Sequence, residues 1–137
     1  MKYVAGLMFN PSGSKLALVL KDRPAWQAGL FNAIGGKIEG DENPVTAMVR
    51  EFQEETSVVT DPSEWKLLLK LEGSDFEVNF FTAFSDKVDL VKTVETEKIF
   101  TIDPLKLPPN IIFNLRWIIP AALDDQAVFP RLVKYRK

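Results

Sequence analysis

The chain of 137 residues contains no histidine and no cysteine. Without an imidazole or a thiol it cannot build a Ser-His-Asp triad, a cysteine nucleophile or the usual His/Cys zinc site. A disulfide framework is excluded too, so nothing in the composition points to an oxidising compartment. A strong charge of either sign is also missing. The formal net charge is −2, whereas proteins that live on nucleic-acid phosphates carry a clear basic excess. No nucleic-acid polymer is therefore expected as a partner. Long apolar runs are absent as well. Met1 to Phe9 is mostly apolar but short, and it meets Asn10-Pro11 with no small-residue cleavage site, so it reads as a strand and not as a signal peptide. No segment approaches the ~20 apolar residues of a membrane span. The expectation is a cytoplasmic protein with no membrane partner, whose chemistry rests on carboxylates, Lys, Tyr, Ser/Thr or a hard cation held by oxygens.

What is present fits one domain over residues 1–137: 46% of the residues are apolar and 26% charged, enough to bury roughly two-thirds of the unfolded surface. Strands are expected from about Lys2 to Phe9 and from about Lys15 to Lys21. The turn formers Asn10 to Ser14 between them predict a hairpin. A loop holding Arg23, Pro24 and Trp26 follows, then a short strand from Leu30 to Ile34 before Gly35-Gly36. The clearest helix starts at Asn43-Pro44, a good N-cap followed by proline at the first helical position. Val45, Met48, Val49 and Phe52 then fall on one core-facing stripe. Trp65 to Leu71 and Phe76 to Phe84 read as strands, with Trp65, Phe80 and Phe84 in the core, and Ile99 to Ile102 as a further strand. Asn110 to Leu123 reads as a last helix with Ile111, Ile112, Leu115, Ile118, Ile119 and Ala122 on one side, kinked or divided at Pro120. The class is mixed α and β.

The acids are unevenly spread. Residues 39 to 55 hold Glu39, Asp41, Glu42, Glu51, Glu54 and Glu55, six acids in 17 positions where the chain average gives two or three. Glu51, Glu54 and Glu55 stand at i, i+3 and i+4, so they project from one side of the helix. Like charges at that spacing cost about 0.2–0.5 kcal/mol per pair when exposed. A divalent cation offsets that cost, and Mg²⁺ is the commonest that pairs with carboxylates and substrate phosphates. A solvated acidic face is the plainer alternative. Gly35-Gly36-Lys37, which ends a strand ahead of the helix, favours the cation, because glycines there let backbone groups approach a ligand or metal closely.

Gly36, Glu42, Arg50, Glu51, Phe52, Glu54, Glu55 and Val58 together match the pattern G-x5-E-x7-R-E-U-x-E-E-x-G-U, with U bulky and apolar. Six of those positions demand one residue type, which makes a chance match about one in ten million per start position. The chain thus resembles the Nudix hydrolases over the 23 residues from Gly36 to Val58. The resemblance implies an α/β/α sandwich around a central mixed β-sheet. It implies Mg²⁺- or Mn²⁺-dependent hydrolysis of a nucleoside diphosphate linked to another moiety, with a nucleotide as the small-molecule partner and a homodimer as an allowed state. By position, Glu51, Glu54 and Glu55 would be metal ligands, with the Gly35 carbonyl a further one, and Arg50 and Glu42 would hold the constellation in place. One position departs from the pattern: Ser57 stands where the family has Gly. That Gly would terminate the helix in a left-handed conformation, for which Ser costs roughly 1 kcal/mol more.

Outside this stretch, similar proteins often place another metal ligand or base in the loop after the strands. Glu95 and Glu97 stand there, and Glu97 is preferred; a solvated acidic loop fits both equally well. Arg23 and Lys37 are candidates to meet a phosphate. Trp26 either stacks a base or caps the core. Asn114 and Trp117 lie off the apolar stripe of the last helix and are expected to face the pocket, where similar enzymes use an Asn to read a purine edge. The Pro of ADP-ribose hydrolases and the Tyr of diadenosine polyphosphate hydrolases are both missing from Leu71 to Phe76. Size and the single C-terminal helical region favour a MutT-like enzyme acting on a (d)NTP or oxidised (d)NTP. The alternatives are an ADP-ribose or dinucleotide pyrophosphatase and a degenerate nucleotide-binding module.

Overall fold

The computed structural model describes residues 1–124 and 131–135. Its strands are β1 (Lys2–Phe9), β2 (Leu16–Leu20), β3 (Phe31–Asn32), β4 (Ile34–Lys37), β5 (Lys66–Glu72), β6 (Glu77–Phe84), β7 (Lys98–Ile102) and β8 (Arg131–Lys134). Among the described residues two α-helices accompany them, α1 (Pro44–Thr56) and α2 (Leu115–Leu123). All eight strands belong to one mixed sheet. β1 lies at its centre, parallel to β6 along its whole length. The predicted hairpin forms, yet β1 and β2 pair only at its closed end, Phe9 with Leu16. There Asn10 Oδ1 accepts from the Ser14 and Lys15 amides at 2.8 and 3.0 Å. Beyond that point β2 turns away to pair with β3 and β7. β4 takes its place beside Tyr3 to Gly6 of β1.

Period-two alternation along the central strands divides the apolar residues between two cores. Val4 and Met8 of β1, with Phe81 and Ala83 of β6, pack under Ala47, Met48 and Phe52 of α1. Leu7 and Phe9, with Phe80, pack on the opposite side under Leu115, Ile118 and Ile119 of α2. The result is the expected α/β/α sandwich. A register shift between Leu67 and Leu69 brings Leu68 and Leu69 into the same α2-side core.

Several expectations need correction. The glycine pair does not follow a strand ending at Ile34. It lies inside β4, where a Cβ on Gly35 would collide with the Val4 carbonyl, so the pair permits the close approach of β4 to β1. The last helix begins at Leu115 and not at Asn110. Phe31 of β3 donates its amide to the Asn110 carbonyl at 2.8 Å and accepts from the Ile112 amide at 2.9 Å. Ile111 and Ile112 therefore reach the core from extended chain, which apolar spacing alone does not distinguish from a helical turn. Pro120 sits inside α2, which is neither divided nor ended there; Ile118 and Ile119, fully buried, hold the helix to the sheet. Phe84 is not core. It is 49% exposed and stacks on Phe9 from the end of β6. β8, parallel to β5, was not anticipated.

Candidate active site

The site is built where β4 leads into α1. Asn43 caps the helix as expected, its Oδ1 accepting from the Thr46 amide at 3.0 Å, with Pro44 in the first turn. At the other end Ser57 takes the left-handed conformation, φ 67°, that the family Gly would take. Between these caps, the apolar stripe faces the sheet and the acidic positions face β4 and the loop before the helix.

Arg50 organises this face. Its Nε donates to Glu42 Oε2 at 2.8 Å and its Nη2 to Glu42 Oε1 at 2.9 Å, a bidentate pair. The same Nη2 donates to the Lys37 carbonyl at 3.0 Å. Nη1 donates to Glu54 Oε2 at 2.9 Å and, more distantly, to Glu51 Oε2 at 3.4 Å. One guanidinium thus ties the helix to the end of β4 and to the preceding loop. Glu42 also accepts from the Glu39 amide at 2.9 Å. The Arg50 hydrogen bonds hold the Glu42 carboxyl down to about 2, and the same pairing pushes the Arg50 guanidinium up.

Glu51, half-buried, lies against Gly36, and a Cβ at position 36 would occupy the space of its carboxylate oxygens. Burial pushes its carboxyl up, against the pull of Arg50. Glu55 is only 8% exposed, and its Oε2 has no hydrogen-bond partner. Burial, then repulsion from Glu51, pushes its carboxyl up to about 8, with Lys21 opposing. Glu54 is the most exposed of the three helix carboxylates by side chain. Among the described residues, no three acids converge in a ready metal-binding cluster. Glu51 and Glu54 turn instead toward the positive charge at hand, Arg50.

The remaining candidates fall in several places. Glu97 sits close enough for its charge to raise Glu55, but both of its oxygens are taken. Oε1 accepts from Lys21 Nζ at 2.9 Å and Oε2 from the Asp22 amide at 2.8 Å. Burial pushes the Glu97 carboxyl up, and these hydrogen bonds outweigh it, leaving it below the ordinary range. Glu95 is exposed. The Lys37 side chain is exposed, while its carbonyl serves Arg50.

A cleft of about 750 Å³ opens beside the glycine pair, and Gly35, Gly36, Lys21, Trp26, Asn32 and Asn114 line it. Trp26 stands 68% exposed on a 3₁₀ turn, Ala25–Gln27, and does not cap the core. Asn114 Oδ1 is buried without a partner. Arg23 is exposed and Trp117 partly so, and neither is among the described residues that line the cleft. Lys21, Asn32, Phe76, Phe113 and Tyr135 do line it but carried no distinguishing pattern in the sequence. A lysine closing the apolar run Leu16 to Leu20 was the one available sign for Lys21.

The carboxylates suit a hard cation in donor chemistry, and the orphaned Oε2 of Glu55 is an acceptor that such an ion would satisfy. Glu51, Glu54 and Glu55, with Gly35 on the adjoining strand, are the residues that could hold such an ion, although they do not converge on one point in this structure.

The family model for the NUDIX domain matches residues 1–134. No curated protein matches in sequence. Among solved structures, MutT from a study of Aliivibrio salmonicida and Vibrio cholerae is 21% identical over 88% of this chain and 98% of that one, with a TM-score of 0.69. The NUDIX domain of Shewanella oneidensis NrtR, solved with ADP ribose, is 18% identical over 93% of this chain and 88% of that one, with a TM-score of 0.74. A MutT protein from Bacillus halodurans is 19% identical over 97% and 86% of the two chains, with a TM-score of 0.72. With the family model spanning nearly the whole chain and the Arg50-centred acidic helix in place, this chain belongs to the Nudix hydrolases, the family that acts on nucleoside diphosphate derivatives.

Proposed function

We propose that the chain is a Mg²⁺-dependent pyrophosphatase acting on a (d)NTP or an oxidised (d)NTP, with Mn²⁺ able to replace Mg²⁺. The observation that carries this reading is Glu55: a carboxyl 8% exposed, with one oxygen unpaired, beside Glu51 and near Lys21. A purely structural acid at such burial would have its oxygens satisfied. Glu51, Glu54 and Glu55 would hold the cation with the Gly35 carbonyl, and Glu97 would join them on leaving Lys21. Bound there, the cation supplies charge neutralisation on the phosphoryl oxygens and activation of water.

The chain's own residues do the rest. Arg50, itself fixed by Glu42, holds Glu51 and Glu54 in place. Glu54, the exposed member, accepts the proton of the attacking water as its oxygen adds to phosphorus and the bridging P–O bond breaks. Lys37 and Arg23 are the exposed cations that would meet the phosphates, and Trp26 and Asn114, which line the cleft, would take the base. Asn114 Oδ1 offers an acceptor that a base N–H would satisfy.

A second reading, ADP-ribose as ligand or substrate, is favoured by the likeness to the NrtR domain solved with ADP ribose. The cleft volume of about 750 Å³ admits it as well. A panel of dNTPs, 8-oxo-dGTP, ADP-ribose and dinucleotides with Mg²⁺, its products resolved chromatographically, separates the two. Monophosphate and pyrophosphate from a triphosphate are expected; release of AMP and ribose 5-phosphate as the dominant reaction would move the assignment to ADP-ribose. Nucleotide binding with no turnover at any Mg²⁺ or Mn²⁺ level would make the chain a binding module.

A further inference from the structure

The cleft has a wall that the catalytic helix does not explain. Tyr135 follows β8, and its amide donates to the Glu72 carbonyl at 2.7 Å, fixing it at the end of β5. Phe113 lies just before α2, next to Asn114 and its unpartnered Oδ1. The two rings are nearly parallel, 9° apart in plane with centroids 6.5 Å apart. Phe76 supports Tyr135 edge-on, at 6.1 Å and 76°. All three line the cleft.

Phe113 is 68% exposed and Tyr135 38% exposed. The centroid separation of 6.5 Å lies near the outer end of the ~4.5–7 Å range of aromatic pairs, and both rings keep exposed surface, so neither ring fully covers the other's face. Aromatic surface left open in parallel orientation, beside a buried acceptor without a partner, fits a planar ligand with an N–H edge. A sugar or a phosphate offers no such face.

We propose that Tyr135 and Phe113 form an aromatic wall on which the heteroaromatic base of the substrate stacks, which makes the C-terminal strand part of the substrate site. The proposal rests on the nucleotide reading above. It assigns Tyr135 and Phe113 to recognition of the base and gives them no part in phosphoryl chemistry. The Arg50 hydrogen bonds go to Glu42, Glu51, Glu54 and the Lys37 carbonyl and to neither ring, so loss of the wall leaves that network in place.

The test compares binding of dGMP and of 2-deoxyribose 5-phosphate by calorimetry, in the full chain and in Tyr135→Ala, Tyr135→Phe and Phe113→Leu, with thermal melts as the control on folding. The full chain is expected to bind dGMP at least about tenfold more tightly than the sugar phosphate. Tyr135→Ala and Phe113→Leu should each lose about fivefold or more of that preference, within the range that base–aromatic stacking supplies. Tyr135→Phe should keep it. On the best triphosphate the two disruptive variants raise KM and leave kcat within about twofold. Phe113→Leu serves where Tyr135→Ala does not fold, because Leu keeps the apolar bulk and removes the ring. An unchanged preference in both disruptive variants overturns the wall. So does an equal loss of affinity for both ligands, which is what a merely structural role produces. Wild-type hydrolysis of the nucleotide panel is read separately: turnover with no base preference overturns the wall alone, whereas neither turnover nor nucleotide binding overturns the nucleotide reading with it.

Discussion

Glu51 rests its carboxylate so closely on Gly36 that a methyl group at position 36 would occupy the place of both carboxylate oxygens. The glycine leaves room for the carboxylate above it, since β4 is an ordinary antiparallel partner of β1 at that point. This contact joins the strand to the acidic helix and sets where Glu51 can point.

Gly36→Ala should therefore displace Glu51 while leaving both cores intact. The expected outcome is a loss of turnover of about 10²-fold or more with a cooperative thermal transition preserved. Steady-state kinetics beside circular dichroism checks it, and near-native kcat in a folded variant would refute the contact's importance.

Removing charge from the helix separates the roles of the acids. Glu54→Gln and Glu55→Gln are each expected to lower kcat by roughly 10²–10⁴-fold. Glu55→Gln should also raise the melting temperature in the absence of divalent ions, because a neutral amide no longer suffers burial beside Glu51. If both variants retained near-native rates on the best substrate, the site would lie elsewhere.

The pH dependence of the metal-free protein has a definite sign. The Glu55 carboxyl is pushed up to about 8 from 4.5, by burial first and by Glu51 second. The folded state thus holds a proton that the unfolded state releases, and stability falls as pH rises from about 4.5 to about 8. Glu51 is shifted in the same direction. Glu42, held down to about 2, acts in the opposite sense only below about 4.5, so it does not cancel the effect in this window. Melting curves from pH 5 to 8 should show the decline, Mg²⁺ at millimolar concentration should reverse it, and Glu55→Gln should flatten it. A rise of stability over that range would contradict the burial of Glu55 as a neutral acid.

Ser57 ends α1 with φ 67°. Ser57→Gly should relieve roughly 1 kcal/mol of backbone cost, less whatever glycine adds to the freedom of the unfolded chain. A rise of a few °C in melting temperature is expected, with kcat unchanged, since the Ser57 side chain is exposed and no metal or phosphate contact is assigned to it.

Arg50 shows how far a pattern reaches and where it stops. Its pairing with Glu54 is local, because i and i+4 positions meet on any α-helix. Its bidentate hold on Glu42 and its bond to the Lys37 carbonyl depend on how the loop returns over the helix, which spacing leaves open. Glu97 makes the same point from the other side. Its position in the loop suggested a metal ligand or base, yet Lys21, 76 residues away in sequence, and the Asp22 amide engage both of its oxygens.

The sequence by itself determined the chemistry and the local frame. The absence of His and Cys excluded triad, thiol and His/Cys zinc chemistry, and helical periodicity put Glu51, Glu54 and Glu55 beside Arg50, above an apolar stripe that had to be buried. The caps at Asn43 and Ser57 followed from backbone preferences that operate within a few residues. Tertiary structure alone decided which surfaces meet: that β4 replaces β2 beside β1, that Ile111 and Ile112 enter the core from extended chain, and that Phe113 and Tyr135 stand together at the cleft. Those outcomes depend on contacts between residues far apart in the chain. Such contacts form only where the burial of both partners outweighs the entropy of bringing them together, and periodicity within a single segment carries no record of that balance.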